Sequence, residues 1–70
     1  MTVDALLSQL KRERMDAMTS VWIYGSKEIE EMCHGDIDLA KVYRQTHDEN
    51  SKKAEQLSMI IREIEKRVGG

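Results

Sequence analysis

A seven-residue repeat runs from Ile37 to Val68, with no glycine or proline to interrupt it. Ala40, His47, Ala54, Ile61 and Val68 share one heptad position, and Tyr43, Asn50, Leu57 and Ile64 share the position three residues on. Apolar residues at these two positions form the seam of a coiled-coil-like helix, so the spacing predicts one long helix over 37–68. At 1.5 Å per residue such a helix is about 48 Å long. The polar run Thr46–Ser51 is where a helix–helix corner competes with continuity. No glycine or proline marks a corner there, so the continuous helix is the expectation.

The front half reads as two shorter pieces. Thr2 or Asp4 can cap a first helix over 3–22. Val3, Leu6, Leu7, Leu10, Arg14, Ala17, Met18 and Val21 follow its 3/4 spacing, with Lys11, Arg12, Glu13 and Asp16 opposite. The run Val21-Trp22-Ile23-Tyr24 is strand-like but too short, and has no clear partner strand. Gly25 is expected to end the first helix. Ser26 then caps a short helix over 27–34, with Glu28, Glu30 and Glu31 in its positive first turns and Ile29, Met32 and Cys33 turned inward. Gly35 suits the C′ stop of that helix, and Asp36 suits the N-cap of the long one, with Asp38 in its first turn. The fold class expected is all-α: a short helical bundle or hairpin with a long C-terminal helix, in one domain spanning 1–70.

Length then limits what the chain can do alone. A first helix of roughly 18 residues covers about 27 Å and leaves much of the longer seam uncovered. The expectation is completion by a second copy, as a helical homodimer, or by docking on a larger protein. Residues expected at such an interface are Trp22, Tyr24, Tyr43, His47, Asn50, Ala54, Leu57, Ile61, Ile64 and Val68. Trp22 and Tyr24 are the candidate anchors, because aromatic residues dominate interface energetics. His47 and Asn50 sit mid-seam, where polar groups either fix register and copy number or lie in solvent.

Composition narrows the class. Seventy residues bury a modest fraction of their surface, so a lone core is marginal without a staple or partner. Cys33 is the only cysteine, which excludes an intrachain disulfide and fits a reducing, cytoplasmic setting. No Cys/His set has zinc-finger spacing, and no cofactor motif is present. The apolar runs are only a few residues long, so no membrane span is expected. The N-terminal MTVDALLSQL carries Asp4 and lacks the basic start of a secretory signal. Net charge is −2. The middle third is the acidic part, which disfavours a nucleic-acid partner.

Three stretches invite a chemical reading. Ile23-Tyr24-Gly25-Ser26, followed by Asp36-Ile37-Asp38-Leu39, resembles the signature of the nucleotidyltransferase superfamily. That resemblance implies a Gly-Ser turn cradling phosphate and two strand-borne carboxylates holding metal ions. It covers about 18 residues and departs from the family afterwards. Everything after Tyr43 is helix-patterned, where a third acidic residue on a following strand is expected, and Lys27-Glu28 replaces the residues usual after Gly-Ser. Capping accounts for the same residues, since Asp36 and Asp38 on a helix stand about 200° apart. Cys33-His34 could suggest a metal or a thiol nucleophile, but adjacent residues point to different faces, and an isolated cysteine is usually a small hydrophobe. Arg67-Val68-Gly69-Gly70 resembles the diglycine tail of ubiquitin-type modifiers, which implies a β-grasp fold that helical patterning does not supply.

Met15, Met18, Met32 and Met59, with Trp22 and Tyr24, could form an adaptable binding surface. At helical spacing, ordinary core filling is the expectation for them. The function expected is a non-enzymatic protein–protein interaction module: a small inhibitor, adaptor or chaperone-like protein. Two alternatives stay open. One is a small DNA-binding regulator placing Lys52, Lys53, Arg62, Lys66 and Arg67 on phosphates. The other is a degenerate nucleotidyltransferase using Gly25-Ser26 and Asp36/Asp38.

Overall fold

The computed structural model describes residues 2–69. They form two helices, α1 (Val3–Cys33) and α2 (Ile37–Gly69), joined by His34-Gly35-Asp36. The helices run antiparallel: Lys11 in the first third of α1 meets Glu65 near the end of α2, and Gly25 meets His47 in the third of the hairpin next to the turn. The described chain has no strand, and the all-α hairpin expected from the sequence is observed.

Local chemistry fixes the ends. The Thr2 hydroxyl accepts from the Ala5 N–H at 3.1 Å and caps α1. The turn is a Schellman closure: Asp36 N–H donates to the Glu31 carbonyl at 2.9 Å, and Gly35 N–H to the Met32 carbonyl at 3.2 Å. It requires a left-handed residue, and Gly35 has φ 83°. One residue on, Asp36 Oδ1 accepts from the Leu39 N–H at 3.1 Å and starts α2. The stop at Gly35 and the cap at Asp36 are both where the sequence puts them. The helix through Thr46–Ser51 is unbroken; there Thr46 and Asn50 turn their side chains back onto the carbonyls of Val42 and Thr46.

Three boundaries in the front half need correction. The helix expected over 3–22 does not stop before Gly25, Ser26 caps nothing, and residues 27–34 are not a separate helix. All are one 31-residue helix, and Val21–Tyr24 lies inside it. A glycine in a helix interior costs only about 1 kcal/mol, and here the missing side chain has a use. A Cβ on Gly25 would lie 3.3 Å from His47 Cδ2, closer than ordinary contact, so glycine lets the ring of α2 lie against α1. With that correction the length mismatch disappears, because 31 residues face 33.

The heptad seam of α2 is therefore covered by α1 of the same chain. Ala17, Ala40, Leu57 and Ile61 are buried between the helices. Leu7, Leu10, Val21 and Tyr24 on α1, and Tyr43, Ala54 and Ile64 on α2, are half-buried around them. Tyr24 and Tyr43 pair with ring centroids 5.9 Å apart, and Lys27 Nζ lies 5.6 Å from the Tyr43 ring centre. The result is a rod, 52 × 15 × 14 Å, with a radius of gyration of 15.8 Å. A compact 70-residue domain would have a radius of about 11 Å.

Candidate protein interaction surface

The rod leaves much apolar surface in water. Its accessible area is 5631 Å², against about 4,500 Å² for a compact monomer of its mass. Exposed apolar side chains lie on both helices, with Val42, Met59, Ile60 and Val68 on α2, and one set on α1 is aligned. Met15, Met18, Trp22, Ile29 and Met32 are all exposed, and Trp22 is 81% exposed. With Gly25 they are spaced by three, four, three, four and three residues. At 3.6 residues per turn that spacing makes a second straight stripe along α1, about a quarter-turn from the Ala17 seam. It is roughly 26 Å long.

Contacts with α2 place the stripe on one side of the hairpin. Met15 and Met18 line a shallow groove with Ser58, and Met32 lines another with Ile37, Ala40 and Arg44. Ile37 is itself exposed and extends the apolar strip across the turn. At the centre, Gly25 leaves a low point beside the His47 imidazole. Contiguous exposed apolar strips on this scale mark interaction sites in proteins that do not bury them.

The sequence-derived site residues divide in two. Leu57 and Ile61 are buried against α1, while Tyr24, Tyr43, His47, Asn50, Ala54 and Ile64 line the same intramolecular seam, half-buried. Within one chain their cover is the first helix, which removes the length argument for a second molecule. Trp22 and Val68 alone of the ten are exposed. The core-filling expectation for the methionines is also overturned, since Met15, Met18, Met32 and Met59 are all exposed. His47 Nδ1–H donates to Asp48 Oδ1 at 3.2 Å, and Asn50 Nδ2 donates to the Thr46 carbonyl, so both polar seam residues have partners within α2.

The structural setting of the nucleotidyltransferase signature is missing from the described residues. Ser26 lies inside α1, Asp36 is occupied as a cap, and Asp38 follows in the first turn of α2. Among the described residues no three His, Cys, Asp or Glu side chains converge as a metal site. Cys33 is an exposed free thiol. Lys52, Lys53, Arg62, Lys66 and Arg67 are exposed on the half of α2 turned away from α1, where Glu55 and Glu63 lie among them. Gly69 ends α2, and Gly70, the last residue of the diglycine tail, lies outside the described residues. No described helix is long and apolar enough to cross a membrane. Among the described residues the one interhelical ion pair, Lys11 with Glu65 at 3.5 Å, is about half exposed on both sides and contributes little. Comparison of the chain with family models, curated proteins and solved structures found no match.

Proposed function

We propose that this chain is a non-enzymatic protein–protein interaction module, a small inhibitor, adaptor or chaperone-like protein that works through the apolar stripe of α1. The observation carrying this reading is the exposure of Trp22 at the centre of a line of methionine and isoleucine side chains. Tryptophan is the residue type most enriched among interface hot spots. Methionine suits adaptable contact, because its unbranched side chain repacks at low cost. A free, exposed Cys33 is consistent with a reducing, cytoplasmic setting.

The test is affinity capture with wild type and with Trp22→Lys, followed by mass spectrometry and by a mass measurement on the purified chain. The expected result is a protein, or a second copy, held by wild type and released by Trp22→Lys, with helical circular dichroism unchanged. If the same species are retained by both proteins, the stripe is not the working surface. If instead nucleic acid is retained and lost on Lys52→Ala/Lys53→Ala, the regulator reading replaces this one.

A further inference from the structure

We infer that the occupant of the α1 stripe is a second copy of this chain, packed antiparallel across a two-fold axis that passes between Ile23 and Tyr24. The inference rests on the interaction-module reading and names its partner. It comes from the order of residue sizes along the stripe. Turned end for end, the stripe lands on itself in one register that uses its full length. Met15 then lies opposite Met32 of the second copy, Met18 opposite Ile29, and Trp22 opposite Gly25, each pair occurring twice. The largest side chain thus meets the position with no side chain. The Cβ direction of Gly25 is filled by the His47 ring of the same chain, at 3.3 Å from the ideal Cβ, so the indole would lie against that ring and the adjoining helix backbone. Self-complementarity of this kind is what a two-fold interface requires.

Charge selects the same orientation. Residues 11–16, beside the start of the stripe, carry Lys11, Arg12 and Arg14 against Glu13 and Asp16, and residues 27–36, at its end, carry Lys27 against Glu28, Glu30, Glu31 and Asp36; of these Arg14, Glu28 and Glu31 stand at the seam with α2 and act on the stripe from its edge. Antiparallel pairing sets the basic end of each copy beside the acidic end of the other. Parallel pairing would set like against like, and such charges govern orientation and partner choice more than raw affinity. The exposed parts of Met15, Met18, Trp22, Ile29, Met32 and Ile37 amount to roughly 800 Å² per copy, the upper bound on what these six residues can bury and close to the share each side gives to a standard-size interface.

Two measurements on the full chain test the pairing. Sedimentation equilibrium should show a species of twice 8.1 kDa, and Trp22→Lys should weaken its association by roughly 100-fold or more. Met18→Lys should act in the same direction, and both variants should keep helical circular dichroism, since neither side chain is part of the hairpin core. A nitroxide on the native Cys33 reports orientation. In the antiparallel register the two labels are about 30 Å apart along the rod, whereas parallel pairing brings them within about 15 Å. A dimer that dissociates on Trp22→Lys and gives the long distance supports the inference. A monomer at every concentration, a short label distance, a dimer indifferent to Trp22→Lys, or association only with lipid vesicles overturns it. A monomer that still captures another protein through Trp22 would defeat self-pairing alone and leave the interaction-module reading standing. Indifference of every partner to Trp22→Lys would defeat both.

Discussion

Ile60 and Ile61 are adjacent, identical and on the same helix, yet the hairpin treats them oppositely. Ile61 is 1% exposed against α1, and Ile60 is 47% exposed. Truncating Ile61 to alanine removes buried methyl and methylene groups and leaves a void that two helices can only partly close. Substitutions of that kind cost about 2–5 kcal/mol, and about 3 is reasonable for a site covered by one helix. A domain of this length holds roughly 4–10 kcal/mol in total, so the loss is a large share. On the scale of 4–8 °C per kcal/mol for small domains, the midpoint should fall by about 12–24 °C. Ile60→Ala should change stability by no more than about 0.5 kcal/mol, because lost contact at a half-exposed site is offset by the better helix propensity of alanine. The assay is thermal and urea unfolding by circular dichroism at one fixed chain concentration, since association would shift both midpoints. Equal effects of the two substitutions would refute the assignment of Ile61 to an intramolecular seam. A larger effect at Ile60 would place the seam a third of a turn away.

Three smaller perturbations follow from the same geometry. Gly35→Ala meets no neighbouring atom but forces a side chain onto φ 83°, so urea unfolding should show a loss of about 1 kcal/mol with the fold retained. Asp36→Ala removes the acceptor of the Leu39 N–H and should cost about 1 kcal/mol, with Asp36→Asn nearer neutral; equal losses would show that charge and not the cap bond matters there. Gly25→Ala should raise stability by about 0.5–1 kcal/mol when His47 is also alanine, through helix propensity. With His47 present the gain should shrink or reverse, because the new Cβ sits 3.3 Å from the ring; equal gains in the two backgrounds would mean the contact is not maintained.

Those perturbations fall on the features that sequence conveys well and badly. The Gly35 stop and the Asp36 cap were legible because capping is decided by a few neighbouring residues. The α2 seam was legible because no glycine or proline interrupts its heptad, which is apolar on both sides of His47 and Asn50, and because its solvent side is charged. Gly25 misled for a physical reason: its helix penalty is about 1 kcal/mol, and the contact that offsets it involves His47, which is 22 residues away along the chain. Arg14, Glu28 and Glu31 stand half-buried at seam positions of α1, which breaks the apolar period that would have shown the helix continuing. The stripe was hidden by the same mixture. With apolar residues on the seam and again a quarter-turn away, α1 has weak amphipathicity, and its methionines read as core. Only the position of α2 shows which of the two apolar sides is already covered.

Trp22 is the only tryptophan, so its fluorescence reports on the stripe without a label. On the isolated hairpin it stands in water. If the stripe is an interface between copies, emission at high chain concentration will be blue-shifted and protected from acrylamide, moving to the water-exposed position on dilution, with a midpoint matching the dissociation seen by sedimentation. Emission fixed at the exposed position, with full quenching at every concentration, would contradict the account.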